Sequence, residues 1–113
     1  GRVDSLAKVE AEVDMIRELQ SAYLPIVAPG AIYPKEAAER GIEGYCTIEY
    51  TVLENGRTTD LKAVDCPNKI FVEASMLSAS KFIYQPKREN GKAVAVKGVK
   101  NRFTYKIADS ATE

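Results

Sequence analysis

Two runs with a period of two and two stretches with helical spacing predict an α+β domain. Its expected form is a three-stranded antiparallel sheet with helices packed on one face, plus an extra N-terminal helix. The first run is Tyr45 to Val52, where Cys46, Ile48, Tyr50 and Val52 point one way and Thr47, Glu49 and Thr51 the other. The second is Val99 to Ile107, with Val99, Phe103, Tyr105 and Ile107 in one phase. Three strands with one long helix between them close a sheet if the last strand lies beside the first and the second lies outside.

Taken in order, Asp4 or Ser5 caps a first helix over residues 5–22. Leu6, Val9, Val13 and Ile16 recur there at spacings of three and four, widened by Met15 and Leu19, and the helix fades near Tyr23-Leu24-Pro25. This stripe suits a helix docked on its own domain better than a coiled-coil seam, because Gln20 breaks a seam of barely two heptads. Pro25 to Gly30 is a linker. A short helix follows with Pro34 at its first position, Glu36 in its first turn, Arg40 in its last and Gly41 just past its end.

After the first strand, Asn55-Gly56 supplies a turn, and a returning strand covers about 57–64 with a bulge near Thr59-Asp60. Asn68 caps the next helix, roughly Lys69 to Phe82, with Phe71, Ala74, Leu77 and Phe82 on its inner arc and the small Ala74 and Ser78 letting it lie close on a sheet. Pro86 prevents continuation. Lys87 to Lys92 reads as a charged loop with Asn90-Gly91 at its tip. Val94 and Val96 begin an even alternation that slips at Gly98, the mark of a bulge or kink.

Composition narrows the function. The chain has 113 residues, 45% hydrophobic and 28% charged, ordinary values for one globular domain, and no apolar run reaches the roughly 20 residues of a membrane-spanning helix. Formal charge is zero, which gives little long-range attraction to nucleic acid. Histidine is absent, which removes the commonest general base and the commonest metal ligand. Two cysteines without histidine make no metal site, and no Cys-x-x-Cys motif is present. The sequence therefore predicts no enzyme activity, no metal and no cofactor.

The predicted order of strands leaves the run from Val99 to Ile107 at an edge, with alternate N–H and C=O groups unpaired. Two readings compete. In one, Lys100, Arg102 and Lys106 blunt an ordinary edge; in the other, an extended peptide docks there by strand addition. The basic residues interleaved with Phe103 and Tyr105 fit a solvated gatekeeping face better than a nucleic-acid platform.

Tyr33-Pro34, Ile42-Glu43-Gly44 heading the first strand, the Asn55-Gly56 turn, Tyr84-x-Pro86 and the closing strand follow one another in an order that resembles the C-terminal domain of the TonB family. The resemblance covers residues 33–107. It implies an energy-transducer domain of the periplasm that binds the TonB box of outer-membrane TonB-dependent receptors by β-strand addition. Force from an inner-membrane motor complex, reached through regions outside this chain, would then drive uptake of iron chelates, haem or cobalamin.

By position, the resemblance assigns partner contacts to Tyr33 and Pro34 and to Val99, Lys100, Asn101, Arg102, Phe103, Thr104, Tyr105, Lys106 and Ile107. If the Phe103 N–H faces outward, a proline there removes docking and spares the fold. Cys46 and Cys66 are either a cross-strand pair or two buried thiols on the residues alone. The oxidising compartment implied by the resemblance favours the disulfide.

Residues 1–30 then form an N-terminal helix and linker, 31–109 the TonB-like domain and 110–113 a frayed tail, in a monomer or weak dimer. The membrane anchor and proline-rich spacer of whole family members have no counterpart, so the chain reads as an excised domain or a soluble relative. The alternatives are another envelope adaptor of TolA-like build and a self-associating structural module.

Overall fold

The computed structural model describes residues 11–17 as backbone and residues 23–108 in full. The elements run β1 (Ala11–Arg17), β2 (Pro25–Val27), α1 (Lys35–Glu39), β3 (Gly44–Val52) and β4 (Thr58–Asp65). A 3-10 turn (Lys69–Phe71) leads into α2 (Val72–Ser80), followed by β5 (Ile83–Tyr84), β6 (Lys87–Glu89), β7 (Lys92–Val94) and β8 (Val96–Ile107). The main sheet is four-stranded and antiparallel in the order β1-β8-β3-β4.

The period-two runs set this sheet. Cys46, Ile48, Tyr50 and Val52 on β3 and Phe103 and Tyr105 on β8 are buried on one face, where Ala37, Phe71, Ala79, Phe82 and Tyr84 cover them. Burying one large apolar side chain stabilises a fold by roughly 1.5–3 kcal/mol, so this aromatic set dominates the core. As expected, the closing strand lies beside the first long strand and the returning strand outside it. Both expected irregularities are present. The β3–β4 register shifts between Glu49 and Thr51, opposite the stretch that holds Asp60 at φ 55, and the β3–β8 register shifts between Tyr50 and Val52, opposite Gly98.

Two signals far apart in sequence meet at one point. Gly56 stands at φ +87, and a Cβ there would lie 2.2 Å from the Tyr84 carbonyl oxygen. The Gly56 carbonyl in turn accepts the Tyr84 N–H at 2.8 Å. Only glycine gives both the left-handed turn and this approach to the Tyr84-Gln85-Pro86 segment. Helix α1 ends as its sequence directs: Gly41 takes φ +70, Ile42 N donates to the Ala37 oxygen and Gly41 N to the Ala38 oxygen, the paired bonds of a Schellman stop. Pro34 is the cap residue of that helix rather than its first turn.

Four further expectations need correction. The sheet has four strands, because residues 11–17, expected within a helix, form β1 and pair with β8. Ala11, Val13 and Met15 alternate as well as Val13 and Ile16 fit a helix. An isolated helix of that length is marginal in water, whereas the rim of β8 offers a row of unpaired backbone groups. The other residues read as that helix, 5–10 and 18–22, and the tail 110–113 lie outside the described residues.

Second, Leu77 is 52% exposed, and α2 buries Ser75, Ser78 and Ala79 instead. Small polar residues let the helix approach closely once their hydroxyls are satisfied: Ser75 Oγ lies 2.6 Å from the Tyr105 hydroxyl, and Ser78 Oγ donates to the Pro29 oxygen at 2.7 Å. Third, the charged loop is the β6–β7 hairpin, with Asn90 and Gly91 both at positive φ as a two-residue turn requires. Fourth, the linker contains β2, which pairs with β5.

Candidate functional site

β8 pairs with β3 on one side and β1 on the other. The β3 register is unbroken from Val99, opposite Tyr50, to Tyr105, opposite Gly44. The β1 register is unbroken from Asn101, opposite Arg17, to Ile107, opposite Ala11. At the other rim, β4 carries two register shifts against β3 and the exposed charges Asp60, Lys62 and Asp65. Such irregularity discourages a further strand. The flanks of the sheet are β1 and β4, so the expectation that the closing strand lies at an edge is corrected: β8 is interior, and β1 pairs with the side that three strands alone would leave open.

The direction of each amide on β8 follows from one bond. Ile107 N donates to the Glu43 carboxylate at 2.9 Å, on the β3 side. Successive residues of a strand aim their N–H groups to opposite sides, so those of Phe103 and Tyr105 also face β3. Those of Arg102, Thr104 and Lys106 face β1, opposite Ile16, Asp14 and Glu12. The expectation that a proline at Phe103 removes an outward donor is therefore corrected: the outward donor at the centre is Thr104.

The candidate contact residues divide by face. Asn101, Phe103 and Tyr105 are buried beneath the sheet and set its rigidity, Val99 and Ile107 are half-buried, and Lys100 and Lys106 are exposed. Asn101 is 1% exposed, and its Nδ2 finds no partner among the described residues. Arg102 and Thr104 are half-buried on the opposite face. Arg102 stacks over the Tyr45 ring at 4.3 Å, donates to Thr47 Oγ1 at 3.2 Å and pairs with Asp65 at 3.3 Å, so its charge is balanced across β3 and β4. Tyr45, Thr47, Asp65 and Glu43 were not identifiable as site residues from the chain, because each acquires its role only through strand register.

Tyr33 packs into the domain. Its hydroxyl donates to the Ile42 carbonyl, and its ring meets Phe71 and Tyr105 edge-on at 6.0 and 5.5 Å. Burial raises the Tyr33 hydroxyl pKa above the usual phenol range, and the Glu43 charge adds to this. At Tyr105 burial again raises the pKa most, the Ser75 hydrogen bond opposes it and Tyr33 reinforces it. Both phenols therefore stay protonated at neutral pH beneath β8, Tyr33 as a hydrogen-bond donor to Ile42 and Tyr105 in a hydrogen bond with Ser75. Pro34 is half-buried beside Tyr33 and starts α1.

Cys46 and Cys66 form a disulfide. The register beside them, Thr47 opposite Asp65, places them directly across from one another rather than diagonally, a result of the register shifts in β4. Among the described residues no group of three or more His, Cys, Asp or Glu side chains is placed to hold a metal, and no helix is long and apolar enough to cross a membrane.

Residues 29–107 match the family model described as the Gram-negative bacterial TonB protein C-terminal. Over 84 residues, 74% of this chain, the sequence is 30% identical to the protein TonB of Pseudomonas aeruginosa, of which the chain spans about a quarter (24%). The solution NMR structure of the Pseudomonas aeruginosa TonB C-terminal domain superposes with a TM-score of 0.64 at 26% identity, covering 80% of this chain and 93% of that one. The TonB2 protein of Vibrio anguillarum gives a TM-score of 0.59 at 32% identity, covering 76% and 82%.

Proposed function

This chain belongs to the Gram-negative bacterial TonB protein C-terminal family, and we propose that it is a periplasmic energy-transducing adaptor, not an enzyme. It binds the TonB box of outer-membrane TonB-dependent receptors as a strand added to β8. The bound strand is a handle: force delivered by an inner-membrane motor complex, through regions outside this chain, passes through the ladder to the receptor for import of iron chelates, haem or cobalamin. The domain that does this is residues 31–109.

One observation carries the reading. β8 presents a straight rim, backed by the buried Phe103 and Tyr105, and that rim already accepts a seven-residue antiparallel strand without a register shift. Ladder bonds tolerate sequence, whereas Lys100, Arg102 and Lys106 beside them select among peptides. Tyr33 acts from beneath, by holding Tyr105 in place, and Pro34 by fixing the entry to α1.

The test is an NMR titration with synthetic receptor N-terminal peptides. Amide shifts concentrate at 99–107, and Thr104→Pro reduces affinity at least about tenfold, since it deletes the central outward donor and keeps the β3-facing ones. Unchanged affinity in Thr104→Pro, with the fold intact by its amide spectrum, refutes docking on β8.

A further inference from the structure

We propose that β1 is a resident strand that must leave before a partner docks, so that residues 11–17 set the threshold for engagement. This rests on the docking function proposed above. The seven pairs of β1, Arg17 opposite Asn101 through Ala11 opposite Ile107, fall within the stretch assigned to the partner. β3 occupies the other side of β8 from Val99 to Tyr105, and the Glu43 carboxylate takes the Ile107 N–H on that same side. A strand has two hydrogen-bonding sides, so β1 and a docked peptide exclude one another on β8.

Three observations make β1 displaceable. The close neighbours of β1 are concentrated on β8, so it is attached to the sheet through one strand. The family match begins at residue 29, so β1 lies outside the matched stretch. The chain is fastened again directly after the connection. Tyr23 stacks on Tyr84 at 4.8 Å, its hydroxyl donates to the Gln85 carbonyl at 3.2 Å, and β2 pairs with β5.

Five residues, 18–22, separate Arg17 from Tyr23. A tether this short holds β1 at an effective concentration on the order of millimolar, so a strand of only moderate intrinsic affinity still occupies the rim most of the time. If β8 is free about one tenth of the time, a partner binds about tenfold more weakly than its intrinsic affinity. The chemistry also matches. Glu12 stands opposite Lys106, and Asp14 stands opposite Thr104, between Arg102 and Lys106. The competing partner is thus an extended peptide with acidic residues at alternate positions.

The experiment compares the full chain with its Asp14→Pro variant. That substitution removes the N–H directed at Thr104 and leaves β8 unchanged. The probe is a synthetic receptor N-terminal peptide, measured by calorimetry and amide shifts. Tighter binding to Asp14→Pro, by about tenfold, supports displacement. So does competition by a synthetic peptide of residues 9–20 added in trans to that variant. Equal affinity, with shifts still at 102, 104 and 106, overturns the resident-strand proposal and leaves docking intact. Weaker binding overturns it too, because the partner then adds to the far side of β1. Binding to neither chain refutes the docking function, and this proposal falls with it.

Discussion

Tyr105 and Ser75 show how single residues hold β8 in place. Their hydroxyls lie 2.6 Å apart in a buried contact, and Phe71 stacks on the Tyr105 ring at 4.3 Å. Ser75→Ala leaves a buried phenol without its partner and destabilises the fold by about 1–3 kcal/mol. Adding Tyr105→Phe removes the stranded group, so the double variant recovers part of the loss in chemical denaturation; a strictly additive double variant rules out direct coupling. Ser75 was hidden because a serine inside a helical pattern looks like a solvent-facing residue. The signal was the partner: a tyrosine on the core face of a strand needs somewhere to put its hydroxyl.

At the level of elements, β3 and β4 are joined by turn, ladder and disulfide, and only the last depends on redox state. Cys46 and Cys66 close a loop of 20 residues in sequence separation. Reduction, or Cys46→Ala with Cys66→Ala, therefore destabilises the domain by about 3 kcal/mol in thermal or urea unfolding, and β8 keeps its pairing with β3. A loss below roughly 0.5 kcal/mol shows that the link constrains little in the unfolded chain.

The elements legible in sequence were those with local signals. Alternation gave β3 and β8, Asn55-Gly56 gave the turn, Gly41 the helix stop, and Asn68, whose side chain accepts the Ile70 N–H at 3.0 Å, the start of the 3-10 turn. β1 was misread because its apolar residues satisfy both periods and the deciding term is non-local: a rim 84 to 96 residues away in the chain. The close approach through Ser78 was legible, but Leu77 was misread as facing inward with it, because apolar character was taken as the guide to burial. The closing strand was placed correctly beside β3 but is not an edge, because β1 pairs with its outer side. Its outward amides lie one residue from the expected one, since that detail depends on which side the partner strand takes.

The whole molecule balances its charges unevenly. Net charge is zero, yet Lys100 and Lys106 are exposed on β8 while Arg102 is already paired with Asp65. An acidic peptide on this rim therefore gains screened attraction from a few lysines, worth about 0.2–1 kcal/mol for each exposed pair. The register of the resident β1 sets Glu12 opposite Lys106. Exchange of one acidic strand for another conserves those contacts, so salt acts on both sides of the equilibrium and largely cancels. In the full chain, peptide affinity should then change less than about twofold between 50 and 300 mM salt. In a Glu12→Gln/Asp14→Pro chain, where the resident strand no longer competes through carboxylates, the same peptide should weaken several-fold over that range. Calorimetry at both ionic strengths separates the cases. Equal salt slopes in the two chains mean that the incoming strand never takes the place of β1 opposite Lys106, and the peptide must then be held elsewhere on the domain.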